Sequence, residues 1–531
     1  MTTVSRRSFV QTTLAAASLG APALFAQPAN TNTISIALAS RAPLTLNPQQ
    51  ANRSGADAWG ICQVFDVLAA SPNGTFAIRP EDFRPQLAES WTSSPDATTW
   101  TYKLRRGVQF HKGFGEMTSD DVVFTFVRNL DPKIVTYQKE VFSNIASVTA
   151  VDRYTVGITL KRPDPLFNGG AVSVAHIICR KAFEQLGAGF DTNPVGTGPY
   201  QVDSFSKTEG LLLSAFPGYF GGPAVTKNLH IRFIADTTAR TLAFASGQVD
   251  MIEGVRAPSW IPSMQQRSPK TIFDATAPGS FNLLHLNLNR APLNDIRVRQ
   301  AIRLSINSDQ IAAAYQGLAT PMVGLIASQF AGAVKKKELP PELQYNYDPK
   351  KAKALLAEAG HPNGVTIPCF TSQREDYATV MLMLQEQFRA GGINLDLKII
   401  DHATMHAENR KDRNSVILFS ISYPPVPTQP FELLLARGAE VKPDGSGADN
   451  FSHYGVAIPG LDTLMEKAQN EPDFNKRVAL VQFLEKQVLR DLPLIGICTL
   501  SYVIARNPRI DIGFPVKSGR AYWRLDKAKR V

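Results

Sequence analysis

Cysteine is scarce in this chain of 531 residues. The four cysteines are far apart, and no two of them form a CxxC pair: Cys62, Cys179, Cys369 and Cys498. Zinc ribbons and dithiol redox sites need such pairs, so neither kind of site is indicated. An oxidising compartment would allow one disulfide, although the spacing does not select the partners. We therefore expect buried free thiols.

A long hydrophobic run is also missing from the N-terminus. Residues 14–25 are Ala-rich and mildly apolar, but they are well short of the about 20 residues that a membrane-spanning helix needs, and Gly20 and Pro22 interrupt them. The twin arginines of SRRSFV, residues 5–10, precede this stretch, and small residues follow it as far as Ala26. A charged start, a short apolar centre and a small-residue end are typical of a signal peptide, here of the twin-arginine type.

We predict that residues 1–26 are this signal peptide and that the protein is exported in folded form to a bacterial periplasm. A disordered basic N-terminus is the alternative. No cysteine precedes Cys62, so the predicted processing site has no residue to lipidate. We therefore expect a mature chain that is free in the periplasm and not lipid-anchored.

Positive charge exceeds negative charge, but it is not concentrated. The net charge is +10 at pH 7, and Arg6 and Arg7 of the predicted signal peptide contribute two of these charges. The dense run is residues 335–337, KKK, and the other basic residues are scattered without interleaved aromatic residues. We expect no nucleic-acid partner, and we expect a monomer.

Motifs of hydrolases are absent from the sequence as well. It contains neither GxSxG nor HExxH, and nothing pairs two carboxylates as an acid and a base. We predict a binding protein with no catalytic residues, no resident metal and no cofactor; a secreted hydrolase is the less favoured alternative. His402 and His406 are spaced i, i+4 and could contact a metal chelate, although solvent-facing helix histidines are the simpler interpretation.

Short strands and helices alternate along the chain, which predicts the α/β class, and its length predicts two or three domains. The most informative stretch is residues 87–126, LAESWTSSPDATTWTYKLRRGVQFHKGFGEMTSDDVVFTF. Within it, Thr99–Leu104 has the composition of a strand with its aromatic residues on one face. Thr118 and Asp121 predict a capped helix start.

Two later segments have equally specific sequence patterns. Residues 194–200, PVGTGPY, place two glycines between prolines, which permits a sharply bent loop with positive φ. This loop lacks the Lys-Ser/Thr of a P-loop, and we interpret it as structural. Residues 347–360, YDPKKAKALLAEAG, predict a helix that Asp348 caps, Pro349 begins and Gly360 ends. Asp295 is the predicted cap of another helix.

These segments resemble the solute-binding proteins of family 5 of ABC transporters, the oligopeptide, dipeptide and nickel receptors. The shared patterns extend from about residue 34 to about residue 500: F-D-x-L, LA-x-SW, W-x-(aromatic)-x-LR-x-GV-x-FH-x-G, PVGTGPY, D-x-RVRQA and YDP-x-KAK-x-LL-x-x-AG. The resemblance implies a periplasmic-binding-protein type II-like fold with two hinged α/β lobes and a smaller inserted domain. It also implies that the lobes close on a small-molecule solute and deliver it to the transmembrane subunits of an ABC permease.

The resemblance further implies the domain boundaries. Lobe I is discontinuous and takes residues 27–70, 193–282 and 495–531. Domain II is the insertion at residues 71–192, and lobe III is residues 283–494. Two crossovers between lobes I and III would form the hinge.

The chain departs from the family in the segment that is expected to select the ligand. Peptide-binding relatives carry an aspartate for the ligand's ammonium group, but this chain has Pro424 at that place, within residues 420–430. Peptide specificity is therefore in doubt, and a peptide-like, sugar-like or anionic solute remains open. A nickel-type metal-chelate receptor is the other alternative.

We predict ligand-contacting residues from both lobes. Arg374 lies near the place of a carboxylate-binding arginine in dipeptide receptors, and His402 replaces a family tryptophan. Tyr423 and the amide of Gln429 suit neutral or anionic ligands. The predicted contacts are Leu46 and Asn47 from lobe I, and Arg374, His402, Tyr423 and Gln429 from lobe III.

Overall fold

The computed structural model describes residues 32–51, 55–134, 136, 139–444, 447, 449–520 and 522–531, so the predicted signal peptide, residues 1–26, lies outside the described residues. In this part of the chain the strands are β1 Thr33–Leu38, β2 Ala69–Ala70, β3 Arg84–Pro85, β4 Ala88–Ser93, β5 Thr99–Leu104, β6 Ile145–Asp152, β7 Thr155–Leu160, β8 Tyr200–Ser206, β9 Gly210–Ala215, β10 Asn228–Phe233, β11 Met251–Glu253, β12 Ile272–Leu286, β13 Ala319–Pro321, β14 Val365–Ser372, β15 Ile393–Ile400, β16 Val416–Ile421, β17 Leu494–Arg506, β18 Ile510–Asp511 and β19 Lys529–Arg530.

Helices alternate with these strands, as the α/β prediction requires. Within the same described ranges they are α1 Gly55–Val64, α2 Ser119–Leu130, α3 Lys139–Phe142, α4 Arg180–Leu186, α5 Thr237–Ala245, α6 Trp260–Arg267, α7 Ile296–Leu304, α8 Ser308–Ala314, α9 Pro349–Glu358, α10 Glu375–Ala390, α11 His402–Arg410, α12 Gln429–Leu434, α13 Leu461–Gln469 and α14 Phe474–Asp491.

The largest sheet has the strand order β16-β12-β17-β11-β1-β10-β9-β8, with β13 also on β17. β1 is parallel to β10 and β11, and β12 and β17 are long antiparallel neighbours. These two strands contain the predicted boundaries between lobes I and III, so they are the crossovers of the predicted hinge. Their pairing shifts register between Thr276 and Ser280. Gly279 lies in this irregularity, and a Cβ there would come 1.9 Å from the carbonyl oxygen of Leu500, so the close approach requires glycine.

A second sheet of four antiparallel strands, in the order β4-β5-β7-β6, lies within the range predicted for domain II. β5 has the predicted bounds, and its residues Trp100, Tyr102 and Leu104 are buried while Thr99 is exposed. The alternation places the aromatic face of the strand on the core, as the sequence predicts. The domain boundaries themselves stay a prediction.

Lobe III contains a parallel pair, β14 and β15, which are in register from Val365 opposite Ile393 to Ser372 opposite Ile400. Helix α10 connects the two strands, and four of its apolar residues are buried in a core with them: Val380, Met381, Leu384 and Phe388. The carboxyl ends of both strands are therefore adjacent, which is the edge where α/β sheets commonly bind ligands.

The predicted helix caps are confirmed. The Asp121 carboxylate accepts a hydrogen bond from the backbone N–H of Thr118 at 3.0 Å. Asp295 accepts from the N–H of Arg297 at 2.8 Å, and Asp348 accepts from the N–H of Lys351 at 2.9 Å. Each carboxylate satisfies an N–H group that the first turn of a helix leaves unpaired.

The four cysteines are free thiols, as predicted, and three of them are buried while Cys62 is half-buried. Burial raises the pKa of Cys369 and of Cys498 to about 12, which keeps these thiols protonated. Among the described residues, no helix combines the length and the apolar character that crossing a membrane requires.

Candidate ligand-binding site

The C-terminal tail is fixed against helix α1 of lobe I. The side-chain amide of Gln63 donates to the carbonyl oxygen of Trp523 at 2.8 Å and accepts from the N–H of Leu525 at 3.0 Å. The rings of Trp59 and Trp523 meet edge to face with centres 5.2 Å apart. These contacts hold the preceding residues of the tail beside the space between the lobes.

One arginine of the tail is part of the fold. The guanidinium of Arg524 lies 2.5 Å from one carboxylate oxygen of the fully buried Asp66, and the hydroxyl of Thr197 donates to the other at 2.8 Å. Burial disfavours the charged guanidinium, but the adjacent Asp66 carboxylate more than offsets this effect and raises the pKa of Arg524. The F-D-x-L segment contributes Asp66 to this buried ion pair, and the PVGTGPY segment contributes the Thr197 hydroxyl that donates to it.

The PVGTGPY loop is structural, as predicted, but the predicted positive φ is wrong. Neither Gly196 nor Gly198 is in the left-handed region. Instead, a Cβ would lie 2.1 Å from the carbonyl oxygen of Val64 at Gly196, and 2.4 Å from that of Gln63 at Gly198. The glycines are needed for the close approach of the loop to α1.

His111 of the FHKG segment fastens this loop. Its Nε2 lies 2.9 Å from the carbonyl oxygen of Gly198, and its Nδ1 lies 3.3 Å from the backbone nitrogen of Gly196, which donates to it. This arrangement requires a neutral ring with the proton on Nε2. Burial lowers the pKa of His111 to about 4, so the ring is neutral at ordinary pH.

A cavity of about 240 Å³ lies where the residues predicted to form domain II, lobe III and the hinge meet the C-terminal tail. Its lining comes from all four parts: Phe76, Val141, Gly169, Gly170 and Val174 in the domain II range; Pro278, Gly279 and Tyr502 at the hinge; Ser422, Tyr423, Pro424 and Gln429 of lobe III; and Gly519, Arg520 and Tyr522 of the tail. A solute held there would contact both lobes, so its binding would be coupled to hinge closure.

Arg520 is the cationic group of this cavity. Its Nη1 donates to the Tyr522 hydroxyl at 2.8 Å. Among the residues that the structure describes, no carboxylate oxygen lies within 4.0 Å of its guanidinium, and the cavity lining includes neither Asp nor Glu. A guanidinium in that setting can hold a carboxylate or a phosphate through two parallel hydrogen bonds.

Tyr423 and Gln429 both line the cavity, and each has a polar atom with no partner within the described part of the chain. The Tyr423 hydroxyl belongs to a side chain that is 5% exposed, and Oε1 of Gln429 is buried as well. Buried polar atoms without a partner cost free energy, about 1–3 kcal/mol each. Hydroxyl groups of a bound solute would satisfy both atoms.

A charged group lies beside the cavity, on the other side of Tyr502. The hydroxyls of Tyr502 and Ser422 are 2.6 Å apart, and the Arg256 guanidinium lies 5.0 Å from the centre of the Tyr502 ring. Arg256 and Arg374 contact the same carboxylate oxygen of Asp376, at 3.2 and 3.0 Å. Arg374 therefore has a carboxylate partner, unlike Arg520, and it is not among the residues that line the cavity.

The two predicted metal-chelate histidines are close together in lobe III. The rings of His402 and His406 are 4.6 Å apart, and Nδ1 of His402 lies 2.9 Å from the Ser372 hydroxyl. Burial lowers the pKa of both, to about 4 for His406, so both are neutral. Within the described residues, no group of three or more His, Cys, Asp or Glu side chains is placed to hold a metal ion.

The two predicted lobe I contacts lie in the core. Leu46 is buried among apolar side chains, and its backbone N–H donates to Asp191 of domain II at 2.6 Å. The Asn47 side chain accepts from the backbone N–H of Gln49 at 3.1 Å. Neither residue is in the cavity lining, so contact with ligand stays a prediction for Leu46 and Asn47, as it does for Arg374 and His402.

Most of the cavity residues were missed by sequence reasoning, and Arg520, Tyr522 and Tyr502 are those with polar side-chain groups that matter for binding. None of these three residues belongs to a segment with a family-specific sequence pattern. The available signal was an arginine among a glycine and aromatic residues in GRAYWR, residues 519–524. Only the tertiary placement of the tail shows which of its arginines faces the cavity.

Comparison with known proteins identifies the family. The model described as bacterial extracellular solute-binding proteins, family 5 Middle, matches residues 82–439. The glutathione-binding protein GsiB of Escherichia coli K12 is 30% identical over 370 residues, which is 68% of this chain and 69% of that protein. The structure of MoaA from A. tumefaciens R10 in complex with mannopinic acid is 32% identical, with a TM-score of 0.77 over 94% of this chain and 99% of that one.

A more distant structure shows the same fold. NikZ of Campylobacter jejuni, in complex with Ni(L-His), is 21% identical and has a TM-score of 0.75, and the match covers 94% of this chain and 100% of NikZ. These matches confirm the predicted α/β, periplasmic-binding-protein type II-like fold with two lobes. Family members are periplasmic proteins that bind small solutes and deliver them to ABC permeases. The chain belongs to family 5 of the bacterial extracellular solute-binding proteins and is the solute-binding receptor of an ABC importer.

Proposed function

We propose that this receptor binds a small solute whose carboxylate is held by Arg520 in the cavity between the lobes. The observation that carries this proposal is the guanidinium of Arg520, which has a tyrosine hydroxyl as its partner and, within the described chain, no carboxylate within 4.0 Å. A carboxylate from the solute would complete a charge-assisted pair in a site that closure removes from water.

Two further observations support an acid over a peptide. Pro424 lines the cavity at the place where peptide-binding relatives are expected to carry an aspartate, and the described lining residues include no carboxylate for an ammonium group. MoaA, which is similar to this chain over nearly its whole length, was solved with mannopinic acid. Tyr423 and Gln429 then serve as neutral polar contacts to the rest of the solute.

The proposal extends to the setting of the receptor. Residues 1–26 direct twin-arginine export, the mature chain is a monomer without a lipid anchor, and its cycle is capture and release without catalysis. Domain II takes residues 71–192, and lobe III takes residues 283–494. N-terminal sequencing of the periplasmic protein and light scattering after size-exclusion chromatography test the first two statements.

The decisive test compares acids with their uncharged counterparts. Mass spectrometry of the solute that co-purifies with the protein gives a first candidate. Calorimetric titration with gluconate and glucuronate, and with uncharged glucitol, then asks whether the carboxylate is required. We expect the acids to bind and glucitol to bind at least tenfold more weakly.

Substitution separates Arg520 from other arginines. Arg520→Gln is expected to weaken acid binding about 30-fold or more, because removal of one partner of a desolvated charge pair costs about 2 kcal/mol or more. Arg389→Gln, on the exposed side of α10, is the matched control and should leave affinity unchanged. Unchanged affinity in Arg520→Gln, or sub-micromolar affinity for a dipeptide or tripeptide, would contradict the proposal.

A metal-chelate receptor is the second candidate, and the 4.6 Å separation of the His402 and His406 rings favours it. The two imidazoles could complete the coordination of a metal that arrives with its own chelator. Metal analysis of protein purified without chelating agents, and titration with nickel and histidine, test this candidate.

A further inference from the structure

The Arg520 cavity continues into a second cavity along the seam between domain II and lobe III. This seam cavity has a volume of about 160 Å³. It shares four lining residues with the first cavity, two on each wall: Val141 and Gly170 of domain II, and Pro424 and Gln429 of lobe III. A solute anchored at Arg520 therefore has room to extend past Gln429 into the seam.

The charges along the seam cavity are balanced. Its described lining residues include two carboxylates, Asp164 and Glu432, and two guanidinium groups, Arg162 and Arg477. Arg477 lies 3.7 Å from Asp164, so these two charges are paired. The seam therefore has no excess charge of either sign, in contrast to the first cavity with its single cation, and a charged group entering it would be attracted by two of these residues and repelled by the other two.

The remaining seam residues are apolar residues, among them Pro163, Val426 and Leu433, and uncharged hydrogen-bonding groups. Ser143, Asn144, Thr428 and Gln469 line it, and the buried Oε1 of Gln429 has no partner in the described structure. The buried Tyr423 hydroxyl, also unpartnered there, lies in the lining of the first cavity. Gln429 lines both cavities and Tyr423 lines the first, and hydroxyl groups satisfy such atoms as donors or acceptors.

The outer end of the seam reaches the protein surface. A third, wider cavity of about 580 Å³ shares Arg162, Glu432, Leu433 and Gln469 with the seam cavity. Nη1 of Arg162 donates to Oε1 of Gln469 at 2.6 Å, and this hydrogen bond joins domain II to lobe III at that end. This hydrogen bond, the Arg162–Gln469 bridge, lies at the outer limit of the seam cavity.

We infer that the solute is an elongated monoanion, with its single carboxylate on Arg520 and an uncharged, hydroxyl-rich arm in the seam between domain II and lobe III. This inference rests on the proposed function, because it takes the carboxylate at Arg520 as the fixed end. It adds that the arm lies beside Tyr423 and Gln429 and ends at the Arg162–Gln469 bridge. Selectivity then depends on the length and the charge of the arm.

The test is a calorimetric series of acids that differ only in the arm. Glycolate, glycerate, ribonate and gluconate carry one carboxylate and a hydroxylated arm of increasing length, and glucarate adds a second carboxylate to the far end of the gluconate chain. We expect affinity to rise at least tenfold from glycolate to gluconate, because each longer arm reaches more of the seam. Glucarate should bind at least tenfold more weakly than gluconate, because its second carboxylate would lose water in a seam whose lining has no net charge to offset that cost.

A substitution in the seam cavity, outside the lining of the Arg520 cavity, locates the arm. Val426→Trp adds bulk there and is expected to remove the gain of gluconate over glycolate while leaving glycolate affinity within twofold. Val127→Trp, at an exposed position of α2, is the control and should change neither affinity.

The outcomes separate this inference from the proposed function. Equal affinity along the series, or glucarate binding as tightly as gluconate, overturns the inference and leaves the anion receptor intact. An unchanged length dependence in a folded Val426→Trp protein overturns it too. Failure of every acid, glycolate and gluconate alike, overturns the proposed function, and the inference fails with it.

Discussion

Two arginines four residues apart in the C-terminal tail have opposite surroundings. Arg524 lies 2.5 Å from the buried carboxylate of Asp66, whereas Arg520 faces the interlobe cavity with the Tyr522 hydroxyl as its partner. Removing either charge from water costs free energy. The fold offsets this cost at Arg524 and leaves Arg520 able to accept an external anion.

The surroundings of the two residues show what separates an arginine that stabilises the fold from an arginine that is free to pair with a ligand. Both residues belong to the same short segment and neither is exposed on the surface. The difference is the presence of Asp66, which lies more than 450 residues earlier in the chain. The missing carboxylate and the adjacent cavity therefore distinguish Arg520, the proposed anion site, from Arg524, and the sequence neighbours of the two residues carry little information.

The largest expected effect comes from breaking the structural pair. Asp66→Asn leaves the Arg524 guanidinium buried without its anion and is expected to destabilise the protein by about 3–5 kcal/mol, the typical cost of breaking a buried ion pair from one side. Arg520→Gln should change the free energy of unfolding by less than about 0.5 kcal/mol, because it breaks no ion pair. Urea denaturation of both variants checks this difference, and equal destabilisation would show that the two arginines are not distinct in role.

Among the described residues, Glu485 is a buried carboxyl group that has no arginine partner, in contrast to Asp66. Glu485 of α14 is fully buried, and both its oxygens lie 3.0 Å from the backbone nitrogen of Leu325, which donates to them. Burial raises its pKa to about 8. Between its ordinary pKa, about 4.5, and about 8 the folded protein binds the extra proton, so this residue lowers stability as pH rises through that window.

Glu485→Gln should remove this dependence. We expect the wild-type protein to lose up to about 4 kcal/mol of stability from this group between pH 4.5 and pH 8, and the variant to lose correspondingly less. Denaturation at a series of pH values measures it, with Glu342→Gln at an exposed position as the control. A variant with the same pH dependence as the wild type would show that the pKa of Glu485 is not raised in the folded protein.

Two buried histidines have pKa values that are shifted in opposite directions. The folded pKa of His111 is about 4, so the unfolded chain binds more protons below about pH 6.5 and stability falls as pH falls. At His453 burial opposes the charge, but hydrogen bonds from its ring to Asp412 and Glu440 raise the pKa. Its contribution is therefore present below about pH 6.5 and is lost as pH rises through the raised pKa.

His111→Asn should therefore reduce the pH dependence of the free energy of unfolding on the acid side, and His453→Asn should reduce it on the alkaline side. We expect a change of up to about 3 kcal/mol on the acid side for His111, since each pKa unit corresponds to about 1.4 kcal/mol, and a change on the alkaline side for His453. Thermal denaturation between pH 4 and pH 9 resolves the two effects. The same sign of change for both would contradict the assignment of a neutral and a charged ring.

Local sequence rules predicted the elements but not the charge pairing. Strand β5 and the helix after Asp348 have their predicted bounds, because aromatic alternation, an N-cap and a proline at the first turn act within a few residues. The glycines of the loop at residues 194–200 were predicted as important for the wrong reason, since their close approach is to α1, over 100 residues away. Arg520 was missed because its distinction from Arg524 depends on the distant Asp66 and on a cavity that four parts of the chain enclose.

The smallest expected effect tests whether the charged group beside Tyr502 takes part in binding. Arg374 shares the Asp376 carboxylate with Arg256, and its side chain is 51% exposed, so solvent and its partner already screen its charge. Arg374→Gln should therefore weaken acid binding about threefold or less, against about 30-fold or more for Arg520→Gln. Calorimetric titration of both variants with gluconate measures the order. If Arg374→Gln proved as damaging as Arg520→Gln, the solute would have to reach past Tyr502, and a guanidinium with a carboxylate partner would be as good an anion site as one without.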